Sequence, residues 1–418
     1  MKIDVAKVGR LLLVAGGATG LSVEHAQAGA FGLNEYGAAG TGLAASGTAA
    51  GSAGLASMAF NPATLSEFDG LQASATLSYI KPLIHVDAPT GNTDDIANGG
   101  RPVPAAQLSY QVNGRFWIGV SVDAPFGLMT DIAPELYTSY YGTKTEVVDI
   151  NVTPTIAYKI TDWLSIGAGL QINYLNTKLN SRLTPLMPEG YLNLNADGMS
   201  LGYKLGVLLK PFEGTVIGVG YRSEVSPSLD GTLENNIPFP GLSGLVLPGR
   251  RDISLDLTLP AQLNVGLRQV LTPDFTLNMT YQWTNWSAFN RFIVSSDSGP
   301  VVPLNFDYRD GWLVAGGLEY KWSAETTLRA GINYEESPIT AQTRDPRLPD
   351  SNRIMVGLGG SYQYSKNLSF DFGYAHVFMR EGDIVLTDTS NPRFTGVPFI
   401  GSAHAQVDIA ALTVNYKW

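Results

Sequence analysis

The sequence of 418 residues contains no cysteine, only four histidines and few charged residues, which make up 15% of the chain. Without cysteine, the chain has neither a disulfide framework nor a thiolate metal or redox site. Soluble proteins usually contain about 25% charged residues, so the low charge argues against an ordinary soluble enzyme. The net charge of −10 argues against a nucleic-acid partner, because binding a phosphate backbone requires clustered Lys and Arg.

Long hydrophobic runs are missing as well. After residue 28, no stretch approaches the roughly 18 apolar residues that a spanning helix needs. Before that point, basic residues precede the apolar stretch 11–23, and residues 26–28 (Ala-Gln-Ala) fit the small-x-small cleavage pattern. This arrangement predicts a cleaved secretory signal peptide at residues 1–28, because glycines interrupt an apolar stretch already too short for a membrane anchor. An exported chain without spanning helices is either soluble or a β-barrel.

What the sequence does contain is an alternation of apolar with polar or small residues at a period of two. In residues 164–173, for example, Leu, Ile or Ala alternates with Ser, Gly, Gln or Asn. The pattern recurs and predicts 14 strands, an even number as expected for a single-chain bacterial outer-membrane barrel. The predicted strands are 71–80, 103–112, 115–123, 147–160, 163–176, 198–210, 214–226, 252–270, 274–286, 310–322, 325–335, 352–365, 367–379 and 403–418.

The connections between the predicted strands alternate in length. Short turns such as Asn113-Gly114 and Ser323-Ala324 lie between much longer connections, as in barrels with short periplasmic turns and long outer loops. Tyr and Trp near the strand ends, on the apolar parity, fit the aromatic girdles of such barrels. We therefore predict an all-β fold, a 14-stranded antiparallel transmembrane β-barrel over residues 71–418. Outer-membrane lipid and lipopolysaccharide of a Gram-negative bacterium would surround it.

The last predicted strand has two features of its own. Residues 412–418 are apolar at alternate positions and end in an aromatic residue. This ending resembles the signature that outer-membrane assembly machinery recognises, so we expect that machinery as a partner. Between residues 407 and 411 the apolar residues occupy odd-numbered positions, whereas from 412 to 418 they occupy even-numbered ones. We interpret this change as a bulge near Ala410 or as a strand that continues above the membrane.

Residues 29–70 do not alternate and are rich in Gly, Ala and Ser. A barrel of this size has a lumen wider than its own side chains fill. We predict that this segment is a hatch that plugs the lumen, because apolar residues such as Phe31, Leu33 and Leu65 need burial. The alternative is a disordered exported N-terminus. Inward glycines in the predicted strands, such as Gly218 and Gly357, would leave room for the hatch.

Five short elements follow one another along the chain: Phe31-Gly32-Leu33-Asn34-Glu35, Asn61-Pro62-Ala63, Ala124-Pro125-Phe126-Gly127-Leu128, Leu328-Arg329-Ala330-Gly331 through Glu336-Ser337-Pro338, and Pro349-Asp350-Ser351-Asn352-Arg353. With these elements, in this order, the sequence resembles the FadL family of outer-membrane long-chain fatty-acid and hydrocarbon transporters over essentially the whole chain after residue 28. The resemblance implies a 14-stranded barrel plugged by an N-terminal hatch, with Asn61, Pro62 and Ala63 as the hatch motif.

The resemblance also implies passive transport of long-chain fatty acids or of aromatic or aliphatic hydrocarbons. Apolar outer loops capture the ligand, a lumenal pocket holds it, and a wall gap at a kink in the third strand releases it sideways. Release into lipid is favourable for an apolar chain, by about 0.8 kcal/mol per CH₂. In this sequence Gly119 would permit the kink, and Pro125, Phe126 and Gly127 follow it.

Candidate ligand-binding residues lie in the predicted outer loops. Loop 177–197 carries Leu186, and loop 227–251 carries Phe239, Leu242 and Leu245. Apolar residues on water-facing loops either capture ligand or pack against one another.

Further candidates lie at the hatch and on two strands. Phe31, at the start of the hatch, is a candidate contact. Arg309 precedes the tenth predicted strand at a position expected to face the lumen. The family has a basic ligand contact at a similar position. Arg309 either anchors the carboxylate of a ligand or pairs with an acidic neighbour. The family's second basic position is Asn176 here, with Lys178 nearby.

Two other functions compete with hydrophobic transport. A non-specific porin would need an open, charged lumen, whereas this lumen is predicted to be plugged. A hydrolase would need a catalytic arrangement around one of the three histidines after residue 28, His85, His376 and His404, and no motif marks one. No metal motif occurs either, so we predict a channel with no catalysis, cofactor or metal.

Overall fold

The computed structural model describes residues 30–97, 99–236, 248–297, 299–387, 389, 391 and 393–418. The predicted signal peptide at 1–28 lies outside the described residues, as do Phe239, Leu242 and Leu245. Within the described ranges, no helix is long and apolar enough to cross a membrane.

The described residues form one antiparallel sheet of 21 strands. The strands are β1 (Leu71–Asp87), β2 (Thr93–Ala97), β3 (Arg101–Asn113), β4 (Phe116–Asp123), β5 (Gly127–Asp131), β6 (Lys144–Thr161), β7 (Leu164–Thr184), β8 (Met187–Leu209), β9 (Thr215–Arg222), β10 (Ser228–Asn235), β11 (Gly249–Asp256), β12 (Gln262–Val270), β13 (Phe275–Thr284), β14 (Arg291–Ser296), β15 (Gly299–Asn305), β16 (Gly311–Lys321), β17 (Thr326–Glu336), β18 (Arg353–Gln363), β19 (Leu368–Met379), β20 (Gly382–Leu386) and β21 (Phe399–Lys417).

Fourteen of these strands form the wall of a barrel, which confirms the predicted fold. Strands β2, β5, β10, β11 and β20 continue wall strands beyond a break, and β14 and β15 form an outer hairpin. Large apolar side chains such as Leu77, Ile156 and Leu170 are about half exposed on the outside, whereas Ser, Thr and Asn face inward and are buried. The outer surface is therefore suited to lipid.

The barrel closes between its first and last strands. Strand β21 pairs with β1 without interruption from Gln72↔Lys417 to Asp87↔Ser402, so the bulge proposed near Ala410 is wrong. The strand instead continues upward to Phe399. Val407 and Ile409 face inward because they pack against Leu33 and Ala44 of the hatch. The apolar face of the hatch thus explains why residues at inward-facing positions of this strand are apolar.

Several predicted boundaries are wrong. The loop predicted at 227–251 contains β10 and the start of β11. Residues 177–197 are not a loop, because β7 and β8 pair throughout this region, as at Lys178↔Asn195. Outside the membrane, neither face of a strand needs to be apolar, so the apolar–polar alternation by which a strand is recognised disappears there. The predicted eighth strand, 252–270, is broken between β11 and β12, where Pro260 has no N–H to donate to a ladder.

The hatch fills the lumen as a chain of short helices. These are α1 (Ala38–Gly42) and three 3-10 helices, Thr48–Ala50, Gly54–Ala59 and Pro62–Glu67. Almost every described residue from 30 to 66 is buried. This compact structure excludes the alternative of a disordered segment.

Inward glycines provide the space that the hatch occupies. A Cβ atom added at Gly218 would lie 1.8 Å from the carbonyl oxygen of Ala49, and one at Gly331 would lie 2.1 Å from that of Leu43. The Asn-Pro-Ala motif fixes the hatch to the wall, since the Asn61 amide donates to the carbonyl oxygens of Ala49 at 2.8 Å and Val207 at 2.9 Å. Its Oδ1 atom accepts from the Ala63 N–H at 3.0 Å and caps the last 3-10 helix.

Candidate ligand cavity and wall gap

A cavity of about 680 Å³ lies between the hatch and the outer loops; we call it the outer cavity. Its walls come from the upper ends of several strands, from the β14–β15 hairpin and from the connection before β18. The apolar lining residues are Phe31, Leu128, Val147, Leu175, Leu179, Leu255, Leu257, Leu259, Phe289, Phe292, Leu304, Phe306, Tyr308 and Leu348. Its largely apolar lining with a few polar groups is typical of small-molecule sites.

Phe31 closes the outer cavity toward the hatch. Its ring centroid lies 5.8 Å from that of Phe126, 4.8 Å from that of Trp286 and 5.0 Å from that of Phe289. The backbone here pairs with the broken third strand, because Gly127 donates to the Phe31 carbonyl at 2.8 Å. The first hatch residues and the strand break are thus one connected structure under the cavity.

Two arginines line the outer cavity, which is otherwise apolar apart from Thr145 and Thr177. Arg347 and Arg393 both form ion pairs with the same oxygen of Asp345, the Arg347 contact at 3.2 Å. The Arg393 guanidinium also lies 4.5 Å from the centroid of the Phe306 ring. Burial lowers the pKa of both arginines, but a guanidinium stays protonated near neutral pH.

Two guanidinium groups beside the cavity thus share one buried carboxylate, and the charge of Asp307 also acts on Arg393. In addition, Nε of Arg393 is buried and makes no hydrogen bond within the described part of the chain. A buried donor without an acceptor is costly, and an anionic group in the cavity would satisfy it. The arrangement can therefore hold an apolar molecule that ends in a carboxylate.

Most sequence-predicted ligand contacts in the described residues lie elsewhere. Phe31 lines the outer cavity, but Arg309 does not: its Nη2 donates to Glu336 Oε1 at 2.6 Å. Lys178 donates to Glu146 Oε1 at 2.7 Å. Leu186 lies at the tip of the β7–β8 hairpin and is 91% exposed. The structure thus brings Phe31 together with arginines that the sequence analysis missed.

A weak signal for the missed arginines was present in the sequence. Arg344-Asp345-Pro346-Arg347 is a dense charge group in a chain with few charges. Its position in an outer loop gave no reason to connect it with Arg393, which is far along the chain. Only the fold brings the two guanidinium groups to one carboxylate.

The wall has a gap beside the third strand. Strand β4 ends at Asp123, and residues 124–126 turn inward before β5 begins. The β3–β4 ladder ends at Ala106↔Val122, so within the described residues 101–105 of β3 pair only with β1 and β5 pairs only with β6. Backbone groups on both sides of this opening therefore lack a ladder partner across it.

The residue types around the gap agree with a strand edge. Pro102 and Pro104 on β3 and Pro125 at the break carry no N–H, and proline is confined to edges and bulges in sheets. Phe126, the last residue of the break, is buried beneath the outer cavity. Gly119 lies in the regular part of β4, paired with Ser109 and Thr155, so the break does not form there.

A buried polar layer lies next to Phe126, away from the cavity lining. The Arg222 guanidinium lies 4.8 Å from the centroid of the Phe126 ring. Lys204 Nζ lies 3.5 Å from Asp123 Oδ2, and Asn173 donates to Asp149 at 2.5 Å. An apolar molecule that descended through this layer would separate polar groups that depend on each other. Passage through this layer would therefore be costly.

Comparison with known proteins identifies the family. A model of the family described as Outer membrane protein transport protein (OMPP1/FadL/TodX) matches residues 20–418. The chain belongs to this family. A "Long-chain fatty acid transport protein" of Escherichia coli O6:H1 is 26% identical over 385 residues, which cover 83% of this chain and 86% of that protein.

Solved structures show the same fold. The crystal structure of a Pseudomonas aeruginosa FadL homologue has a TM-score of 0.83 at 24% identity and covers 93% of this chain and 99% of that chain. The Pseudomonas putida toluene transporter TodX has a TM-score of 0.71 at 19% identity and covers 92% of this chain and 98% of that chain.

Membership of this family confirms several predictions made from the sequence. This FadL-family protein is a β-barrel of the Gram-negative outer membrane and transports hydrophobic molecules. Members of the family are channels without enzymatic activity. In the part of the chain that the structure describes, no group of three or more His, Asp or Glu side chains is arranged to hold a metal ion.

Proposed function

We propose that this protein takes up long-chain fatty acids, holds them in the outer cavity and releases them sideways into the outer membrane through the wall gap. The observation that carries the proposal is the Arg347–Arg393 pair in an apolar cavity. Burial of the chain contributes about 0.8 kcal/mol per CH₂. The arginines add a hydrogen-bonding partner for the carboxylate, which a hydrocarbon ligand would leave unused.

The direction of release rests on the arrangement below the cavity. Phe31 and Phe126 separate the cavity from the polar layer, and the wall gap opens beside the same residues. A ligand that displaces these aromatic rings reaches lipid through the gap before it reaches the polar lumen. Outer-membrane lipid is therefore the proposed acceptor.

Hydrocarbon uptake by the same route is the second candidate. It is favoured by the aromatic share of the lining, which includes Phe289, Phe292 and Phe306, and by the fold shared with a toluene transporter. A non-specific porin has less support, because the hatch occupies the lumen in the described structure.

A matched pair of ligands tests the proposal. Palmitate and methyl palmitate have the same chain, but only palmitate carries a charge. We expect the purified protein to bind palmitate roughly tenfold or more tightly than the ester near neutral pH, since a hydrogen bond to a charged group contributes about 1.5–3 kcal/mol. Displacement of a fluorescent fatty-acid probe measures both affinities. Equal affinities, with tight binding of hexadecane or toluene, would establish the hydrocarbon alternative instead.

A further inference from the structure

A second cavity, of about 430 Å³, lies between the hatch and the wall; we call it the hatch cavity. It shares no lining residue with the outer cavity. Its lining combines hatch residues with residues of five wall strands: Asn34, Glu35, Gly40, Thr41, Ala45, Leu313, Asn333, Glu335, Arg353, Met355, Val377 and Ile409. The Oδ1 atoms of Asn34 and Asn333 are buried and accept no hydrogen bond from the described residues. Water in the cavity would satisfy both.

The hatch cavity contains a buried cation between carboxylates. Arg353 Nε lies 3.2 Å from Glu335 Oε2, and its Nη1 lies 3.4 Å from Asp350 Oδ1. Glu35 is only 5% exposed and accepts from the Asn34 N–H at 2.9 Å. The pKa of Glu35 is raised from about 4.5 to about 7, mainly by burial; hydrogen bonds from the Asn34 and Glu35 N–H groups partly oppose the shift, and the smaller effects of Glu335 and Arg353 raise and lower it respectively.

The other groups that face Glu35 are uncharged or more distant. The remaining wall strands contribute Leu313, Met355, Val377 and Ile409 to the cavity, and Ser78 of β1 donates to the Glu35 carbonyl. The charged groups Asp123, Asp149 and Arg222 act on Tyr36, the residue next to Glu35. Glu35 is therefore the hatch carboxyl whose ionisation depends on how much water reaches it.

The first hatch residues connect the two cavities mechanically. The Ala30 N–H donates to Asp350 Oδ2 at 2.9 Å, and Asp350 also pairs with Arg353. Phe31 lies in the outer cavity and Glu35 in the hatch cavity. A ligand that pushes Phe31 aside pulls on a short segment that is hydrogen-bonded to Asp350 at Ala30 and carries, at Glu35, a carboxyl group on which the charge of Arg353 acts.

We propose that ligand binding in the outer cavity is coupled to release of a proton from Glu35. This inference rests on the proposed function. Displacement of Phe31 shifts residues 30–35, opens the hatch cavity to more water and lets Glu35 ionise. By linkage, a ligand that releases a proton binds more tightly as the pH rises. The affinity should rise by up to about tenfold for each pH unit between about pH 4.5 and pH 7, and level off above pH 7, where Glu35 is already ionised in the free protein.

The test uses tetradecyl sulfate, whose charge does not change in this range, and the purified full-length protein in detergent. Titration calorimetry near pH 6, in two buffers with different ionisation enthalpies, counts the protons released on binding. We expect close to one proton, and an affinity that rises from about pH 5 to pH 7. Binding with no proton release and a constant affinity would overturn the coupling and leave the proposed function intact. Absence of binding at every pH would overturn both.

A pair of variants assigns the proton. Glu35→Gln cannot ionise, so it should bind with the weak affinity of the native protein at low pH and show no pH dependence. Glu336→Gln, which removes an outer carboxylate paired with Arg309, should keep the native pH profile. A Glu35→Gln profile identical to the native one would overturn the assignment. The number of protons that the native protein releases on binding tests the coupling even if the Glu35→Gln variant fails to insert into the membrane.

Discussion

Deletion of Pro125 is expected to abolish fatty-acid uptake, whereas the purified variant should still bind fatty acid in the outer cavity. Between the pairs Asp123↔Asn151 and Gly127↔Val148, the third strand has residues 124–126 where β6 has only 149 and 150. Removing one residue makes the two sides equal in length, and removing the proline restores an N–H at every position. Strands β4 and β5 should then join into one regular strand that can pair with the free edge of β3.

Uptake of labelled palmitate is measured in cells that lack their own fatty-acid transporter, and binding is measured on the purified variant. We expect uptake to fall to the level of cells without the protein, because the sideways route is closed. Phe31 loses its backbone contact with Gly127 in this variant, but most of the outer-cavity lining comes from other elements, so the affinity should change by less than about tenfold, or roughly 1.4 kcal/mol. Pro125→Gly is the matched control, since it keeps the extra residue and therefore the break. Full uptake by the deletion variant would contradict release through this gap.

Replacing Arg393 by Gln is expected to weaken palmitate binding roughly ten- to a hundredfold, the equivalent of about 1.5–3 kcal/mol for a charged hydrogen bond. The substitution removes one of the two guanidinium groups beside the cavity and leaves Arg347 paired with Asp345. The affinity for methyl palmitate should stay nearly constant, because the apolar lining is unchanged. Displacement of a fluorescent fatty-acid probe measures the affinities for palmitate and for methyl palmitate.

Arg309→Gln is the matched control for this prediction. Arg309 is outside the cavity, and its ion pair with Glu336 is about half exposed, so its loss should leave both affinities unchanged. A loss of palmitate binding in Arg309→Gln but not in Arg393→Gln would move the anchor to the position that the family resemblance implied. An equal loss for palmitate and its ester in Arg393→Gln would indicate a packing defect instead of a lost charge.

The membrane-spanning part of the fold could be predicted from the sequence because lipid imposes a strict pattern. Every second residue must be apolar on the outside, and the hatch requires small residues inside, as at Gly218 and Gly331. Above the membrane that requirement ends. The β7–β8 hairpin beyond residue 177 consequently looked like a loop, although its residues pair as regularly as those below.

The site could be predicted only where a local motif marks it. The Pro125-Phe126-Gly127 element indicated the region of the gap, and Phe31 indicated the start of the hatch. The cationic part of the cavity depends on residues that are distant in sequence, because Arg347 and Arg393 meet only through Asp345. Likewise, the hatch prediction indicated that the segment around Glu35 is buried, but the charged groups beside Glu35 come from wall strands that are distant in sequence.

The central claim is that the outer cavity holds a fatty acid with its carboxylate at the paired arginines. The most direct test is a crystal structure with palmitate that carries bromine at the end of its chain, located by the anomalous signal of the bromine. We expect the bromine inside the apolar lining and the carboxylate within hydrogen-bonding distance of Arg393 or Arg347. A bromine signal confined to the outer hairpins, or a carboxylate bound at Arg309, would contradict the claim.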